Sequence, residues 1–345
     1  MYVKKNFSFF DIIKFTGRHI FWLTVWMSTA VGLFEYFHFD WLKISWLPIS
    51  LIGTAVAFYV GFKNNQAYDR LWEARKIWGG IVNSSRSWGT AIKSFASNQF
   101  RDSDLTEEEK HKIHKRLIYR HIGWLYALRN QLLIPTSWEH ISQGEKVAKR
   151  TAKRKEELGL GLFNDGITED ELKLFLPEDE YDRLINFRNT ATQILDHQSI
   201  DLRKLRAEDT IDDFRHMELQ ALITEFYTLQ GKCERIKKFP LPRQYGSMSW
   251  IFILIFIFLL PWGMVNEFHD LSRFGPLVSI PFSVIVAWVF VTMELVGDYS
   301  ENPFEGLGND IPMLALCRTI EIDLREMLEE TDLPPGIQAK DGILM

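Results

Sequence analysis

The stretch that decides the fold runs from Leu47 to Phe62, reads LPISLIGTAVAFYVGF and contains no charged residue. Three further apolar runs lie at about Ile20–Phe37, Trp250–Val265 and Leu277–Val296. Crossing the hydrocarbon core takes roughly 20 residues, and about 17 are tolerated. The second and third runs are short by this measure, so a buried soluble helix is an alternative for each. Because the four runs form two hairpin pairs, we predict four transmembrane helices.

The charges that flank these runs indicate the side of the membrane on which each loop lies. Basic residues precede the first run, follow the second and precede the third: Lys4, Lys5, Lys14, Arg18, Lys63, Arg70, Arg75, Lys76, Lys237, Lys238 and Arg243. The two short hairpin connections contain only Lys43 and Arg273. The positive-inside rule therefore predicts a multi-pass protein of the cell (inner or plasma) membrane with both termini and the middle of the chain in the cytoplasm.

The alternation of apolar and charged segments predicts five regions and an all-α fold class. These are a cytoplasmic N-terminal segment (1–19), a first transmembrane hairpin (20–63), a cytoplasmic helical domain (64–249), a second transmembrane hairpin (250–297) and a cytoplasmic C-terminal tail (298–345). The middle region has helical apolar spacing and no convincing strand pattern. We therefore expect four transmembrane helices and a large cytoplasmic helical domain.

Within the middle region, local signals predict several separate helices. Thr106 and Glu109 form a capping box before a helix that extends to about Ile134. Further helices are expected over 66–88, 165–176, 179–197 and 211–238, and the basic stretch 146–155 is expected to be a solvated linker.

Composition and motifs exclude several classes of function. With Lys+Arg 40 against Asp+Glu 45 and a net charge of -5, the chain has no basic stripe suited to nucleic acid. His111, His114 and His121 lie in a basic helix without carboxylate partners at ligand spacing, which favours a solvated face over a metal site. Cys233 and Cys317 are too few for a disulfide framework. We predict no enzymatic activity and no cofactor.

The second apolar run carries two stripes at four-residue spacing. One stripe consists of the small residues Gly53, Ala57 and Gly61, and such stripes allow membrane helices to approach closely. The adjacent stripe consists of Thr54, Phe58 and Phe62. Periodicity alone favours a lipid-facing or core aromatic face. The alternative is that several copies surround an axis and form an apolar constriction that gates by dewetting. Its inner mouth would hold Lys63, Asn64 and Asn65.

Three motifs resemble those of bacterial bestrophin homologues. They are SLIGTAVAFYVGFKNNQAYDRLWEARKIWG at Ser50–Gly79, GKCER at Gly231–Arg235 and ENPFEGLGNDIP at Glu301–Pro312. The resemblance to this bestrophin-like chloride channel family covers almost the whole chain. It implies a homopentamer around one pore, with the second membrane helix lining a narrow neck above a wide cytoplasmic vestibule.

The resemblance also assigns residues to the pore. The three apolar neck rings of the family match Thr54, Phe58 and Phe62, and threonine is a departure that predicts a wider, wetter ring. A second constriction at the cytosolic exit falls on Met217, with Phe214 one turn earlier as the fallback. The implied partners are further copies of this chain, membrane lipids and permeant inorganic ions.

The remaining expectations concern calcium binding, the charges near the neck and the permeant ion. Animal members of the family bind calcium through consecutive acids after NPF, and the matching candidates here are Glu301, Glu305 and Asp310. Because these acids are not consecutive, a loop that packs the C-terminal tail is the simpler interpretation. Lys63 has two interpretations. Five copies at the pore mouth would concentrate anions there, or the lysine would extend its ammonium from the helix end to the membrane interface. Glu294 suits either a protein-facing role or interfacial solvation. We expect chloride and other anions, with a cation-selective homologue or a non-conducting membrane scaffold or sensor as alternatives.

Overall fold

The computed structural model describes residues 1–37, 44–101, 104–157, 172–184, 186–269 and 274–345, the side chains of Arg154 and Glu157 excepted. Lys43, Arg273 and residues 165–171 of one predicted helix lie outside these ranges. We number the described helices α1 (Phe9–Phe37), α2 (Trp46–Phe95), α3 (Glu107–Leu133), α4 (Glu145–Glu157), α5 (Glu178–Leu184), α6 (Thr190–Ala207), α7 (Asp213–Lys238), α8 (Arg243–His269), α9 (Gly275–Asp298) and α10 (Met313–Met327). Within the described ranges the only β structure is a pair of isolated bridges, at Tyr2–Ile343 and Lys340–Ile343.

The chain forms two compact units. The membrane unit comprises Lys4–Arg70 and Pro240–Asn302 and contains α1, the first part of α2, α8 and α9. The polar unit comprises Met1–Val3, Leu71–Phe239 and Pro303–Met345 and contains the rest of α2, α3 to α7 and α10.

The membrane unit contains the apolar helices that the sequence predicts. Among the described residues, four helical stretches are long and apolar enough to cross a membrane. Their inward faces form one apolar core: Leu23, Met27, Ile49, Val56, Val60, Ile253, Phe256, Ile257, Leu260, Met264, Ala287 and Val291. The indole Nε1 of Trp26 on α1 donates to the carbonyl oxygen of Ile257 on α8 at 3.2 Å. This bond joins α1 to α8, while Ile49, Val56 and Val60 place the first part of α2 in the same apolar core.

The polar unit is held together by an aromatic core and by a buried charge network. Trp78, Trp88, Trp124, Tyr126 and Phe226 are almost completely buried there.

The charge network centres on Arg120 of α3, which donates to Glu180 on α5 at 2.7 Å and to Asp201 on α6 at 2.5 Å. It also donates to Gln198 of α6 at 3.1 Å. Since a buried charge is tolerated only with such partners, this network fixes three helices relative to one another.

Several predicted helices are confirmed, and others are corrected. The capping box at Thr106 is present and α3 ends at Leu133, one residue from the predicted end. The stretch 146–155, expected to be a linker, is helical, because Glu145 pairs with Lys149 at 2.6 Å one turn later and Lys155 is buried. The single helix expected over 179–197 is two helices, α5 and α6, and Asn189 caps the start of α6 by accepting the Thr192 N–H at 2.9 Å.

Candidate functional site

One face of α2 is buried in the membrane unit. Ile49, Gly53, Val56, Val60 and Lys63 are buried, at the three- and four-residue spacing of one helical face. At Gly53 an added Cβ would lie 2.8 Å from the ring of Phe256 on α8. This face therefore sets the rotation of α2 about its own axis.

The opposite face of α2 is exposed on the subunit and carries the predicted neck residues. Leu51, Thr54, Phe58 and Phe62 are all exposed, and the two phenylalanines are 66% and 65% accessible. The Thr54 hydroxyl donates to the Ser50 carbonyl oxygen at 2.9 Å, so this hydroxyl is satisfied within the helix. Large apolar side chains exposed in a row mark a surface that contacts lipid or other copies of the chain.

The three residues of the predicted small-residue stripe lie in different environments. Gly53 is buried against Phe256, whereas Ala57 is half-buried. An added Cβ at Gly61 would meet nothing within 4 Å. Close helix approach within the subunit therefore depends on Gly53.

Lys63 directly follows the predicted neck residues, but its side chain points into the membrane unit. Its ammonium lies 2.5 Å from Glu294 Oε1 on α9 and 3.9 Å from Glu301 Oε2, and its side chain is 2% exposed. The Ser249 hydroxyl donates to the second oxygen of Glu294. Both interpretations of Lys63 from the sequence required an accessible charge. The structure differs because a buried carboxylate neutralises the lysine, and Glu294 accordingly has the protein-facing role.

The two asparagines after Lys63 have different environments. The Asn64 amide nitrogen donates to the Met293 carbonyl oxygen at 2.9 Å, and an added Cβ at Gly297 would lie 1.9 Å from Asn64 Oδ1. Asn64 thus occupies a close contact between α2 and α9, while Asn65 is exposed. Of the predicted mouth residues, only Asn65 presents its side chain to the surface of the subunit.

Both candidates for the second constriction lie on the exposed face of α7. Phe214 is 81% exposed and Met217 is 70% exposed. Between them, Arg215 donates to the Phe95 carbonyl oxygen and to Ser97 Oγ, both at 3.1 Å. These bonds fix the start of α7 against the end of α2 inside the polar unit, which holds both apolar side chains outward.

The acidic side chains after NPF are engaged by protein donors. Asp310 accepts the backbone N–H groups of Phe304 at 2.9 Å, Gly306 at 2.7 Å and Ile311 at 2.7 Å. Glu305 accepts the backbone N–H of His140 at 2.8 Å and lies 2.9 Å from its Nδ1. These two carboxylates close the loop and attach it to the chain near His140.

Glu301, the third calcium candidate, belongs to the membrane unit. Its carboxylate lies 3.4 Å from Arg243 and 3.9 Å from the Lys63 ammonium, so its neighbours include two basic side chains. Across the described ranges, no group of three or more His, Cys, Asp and Glu side chains is placed to hold a metal ion.

The three histidines of α3 do not converge. His111 is exposed, His114 Nε2 lies 3.0 Å from the Ala96 carbonyl oxygen and His121 is fully buried. The expectation of a solvated face was therefore wrong for His121, which packs among Trp88, Trp124 and Phe226. This burial lowers the pKa of His121 to about 3.

Sequence reasoning missed the pairing of Lys63 with Glu294, which lie 231 residues apart. A usable signal was present, since each is an isolated charge at the end of an apolar run. A charge in that position is costly unless it finds a partner in the protein.

The fold and the four apolar helical stretches define an all-helical integral membrane protein. Residues 18–326 match a family model described as bacterial/fungal bestrophin protein. The chain therefore belongs to the bestrophin family, as the motifs predicted, and this places it among channel proteins and not among enzymes.

Individual relatives agree with this assignment. Voltage-dependent anion channel-forming protein RSc3414 of Ralstonia nicotianae is 28% identical over 312 residues, which cover 89% of this chain and 86% of that protein. Voltage-dependent anion channel-forming protein YneE of Escherichia coli is 25% identical over 296 residues, covering 86% and 81%. The crystal structure of a bacterial bestrophin homolog from Klebsiella pneumoniae superposes with a TM-score of 0.71 at 21% identity and covers 92% of this chain and 98% of that one.

Proposed function

We propose that this chain is one subunit of a homopentameric anion channel of the cell membrane, in which α2 lines a hydrophobic neck. The observation that carries the proposal is the exposed apolar stripe of Thr54, Phe58 and Phe62, opposite the face that packs against α8. Similar proteins are named anion channel-forming proteins, which supports chloride and other small anions as the permeant ions.

In this proposal, five copies of α2 place their phenylalanines around a common axis. Apolar rings oppose ion passage because an ion must lose part of its hydration and gains no polar partner in return. A conformational widening that wets the rings would open the neck. The chain would lie with both termini and region 64–249 in the cytoplasm, and Met217, or Phe214 one turn earlier, would form the exit constriction.

The test compares Phe58→Ala/Phe62→Ala with the wild-type protein in planar bilayers. We expect a higher open probability, because smaller side chains widen the ring and admit water. The control is Phe21→Ala/Phe282→Ala, which removes two similarly exposed rings, 71% and 51% accessible, from α1 and α9.

The outcome separates the proposal from its rivals. Unchanged currents in the α2 double variant would remove the neck assignment. No wild-type current, together with a monomeric mass in detergent, would instead support a non-conducting scaffold. Reversal potentials under a salt gradient distinguish an anion channel from a cation-selective one.

A further inference from the structure

Both basic residues near the predicted neck are directed into the protein. Lys63 is buried against Glu294 at 2.5 Å. Arg70, two turns further along α2, donates from Nε to the Glu301 carbonyl oxygen at 3.1 Å. Neither side chain is therefore placed to offer its positive charge at the surface that carries Phe62.

The exposed stripe of α2 instead continues from Phe62 into polar and acidic residues. Asn65, Gln66 and Asp69 are exposed. Asp69 lies seven positions after Phe62, so at 100° and 1.5 Å per residue the two side chains point within about 20° of each other, roughly 10 Å apart along the helix. Among the described residues, the Asp69 carboxylate has no hydrogen bond or ion pair.

We propose that Asp69 forms an acidic ring at the inner mouth of the neck and limits anion conduction by lowering the local anion concentration. This inference rests on the proposed function, because it requires that Phe58 and Phe62 face the pore. The sequence predicted a positive electrostatic field at the inner mouth, produced by Lys63. A ring of Asp69 carboxylates would make this field negative. Asp69 thereby becomes a selectivity-determining residue that acts before an ion enters the neck.

The physical argument is the summation of like charges in a confined space. Charges of one sign that line a cleft change local ion concentrations by roughly 10- to 1000-fold at low salt. Salt screens this effect, since the Debye length falls from about 30 Å at 0.01 M to about 3 Å at 1 M. Removing the carboxylates should therefore raise the anion-to-cation permeability ratio in dilute salt and have little effect in concentrated salt.

The first experiment measures reversal potentials of Asp69→Asn in planar bilayers under salt gradients centred on about 0.01 M and about 1 M. We expect the permeability ratio to shift toward anions by roughly tenfold in the dilute gradient and to approach the wild-type ratio in the concentrated one. The control is Asp182→Asn on α5, an exposed acid without an ion pair among the described residues. It should leave the ratio unchanged.

A second experiment reverses the charge chemically. The chain has only two cysteines, Cys233 and Cys317, both buried, and burial raises the pKa of the Cys317 thiol to about 12. In Asp69→Cys the introduced thiol is therefore the reactive one. A sulfonatoethyl methanethiosulfonate should restore the wild-type ratio, whereas a trimethylammonioethyl reagent should raise anion permeability beyond that of Asp69→Asn.

These results separate the inference from the proposed function. If both Asp69 variants match wild type in dilute salt while Phe58→Ala/Phe62→Ala changes the currents, the neck stands and the Asp69 proposal is overturned. If neither set of variants changes the currents, both proposals are overturned. A shift that persists undiminished at about 1 M would also contradict an effect of the charge, because screening would have abolished it.

Discussion

Breaking the ion pair between Lys63 and Glu294 should destabilise the membrane unit strongly. The loss should be larger when Lys63 is replaced than when Glu294 is replaced. The ammonium and the carboxylate are 2.5 Å apart, with side-chain exposures of 2% and 6%. At an effective dielectric constant of about 20, their gross attraction is roughly 6–7 kcal/mol. Desolvation offsets much of this, but the loss of one partner leaves the other charge buried, which costs about 3–5 kcal/mol. We expect a loss of that size for Lys63→Met.

Glu294→Gln should cost less than Lys63→Met. Without Glu294, the ammonium still has the carboxylate of Glu301 at 3.9 Å, and Glu301 is also 3.4 Å from Arg243. Lys63→Met offers no such substitute, because Glu294 has the Ser249 hydroxyl as its remaining partner. Since contacting residues couple by about 0.5–3 kcal/mol, Lys63→Met/Glu294→Gln should be more stable than the sum of the single losses predicts.

The assay is unfolding of detergent-purified protein followed by tryptophan fluorescence, with the four proteins of the double-mutant cycle compared under one condition. Lys14→Met is the control, because Lys14 is an exposed residue of α1 and surface changes of this kind stay within about 0.5 kcal/mol. Equal losses for the two single variants would refute the role given to Glu301. Losses below about 0.5 kcal/mol for both would refute a buried pair altogether.

Two further predictions concern packing and pH. Gly53→Ala should lower the free energy of unfolding by about 1–3 kcal/mol because its Cβ would lie 2.8 Å from Phe256, whereas Gly61→Ala, with open space, should be nearly neutral in the same unfolding assay. His121 is neutral in the fold with its pKa lowered to about 3, while the unfolded chain takes up the proton near 6.5. The His121 contribution to the free energy of unfolding should therefore be complete above about pH 6.5 and fall by up to about 1.4 kcal/mol per pH unit below it. In unfolding measured from about pH 7 to pH 5, His121→Asn should show a smaller fall in the free energy of unfolding than the wild-type protein. An unchanged slope would show that other groups cause the acid sensitivity.

The sequence was sufficient for features that depend on local pattern. The four apolar runs predicted the four described helical stretches that are long and apolar enough to cross a membrane, and Thr106 with Glu109 predicted the start of α3. Hydrophobic length and capping are short-range properties. The same reasoning failed at 179–197, where apolar spacing continues across a break. That break is determined by Asn189, whose side chain caps a new helix and does not extend the old one.

Local pattern indicates that an isolated charge in an apolar run needs a partner, but it does not identify which residue that partner is. Lys63 and Glu294 are 231 residues apart, and His140 and Glu305 are 165 apart, so only the tertiary fold brings them together. Asp310 resembles a calcium ligand in the sequence, yet it accepts three backbone N–H groups of its own loop. Acidic composition identifies such residues, but it does not reveal whether their carboxylates bind a metal ion or accept hydrogen bonds from the protein.

An acidic ring beside the proposed neck is compatible with the proposed anion channel, because the two would act on selectivity in different ways. In the proposed channel, the apolar rings of Phe58 and Phe62 would carry no charge, so their contribution to selectivity would be the cost of removing water from each ion. In the proposed channel, Asp69 would contribute a second factor, the local ion concentration, and would act against anions. Salt screens the second factor and leaves the first nearly unchanged. The anion preference of the wild-type channel should therefore strengthen as salt rises, and a preference that weakened instead would place a positive field, not Asp69, at the mouth of the neck.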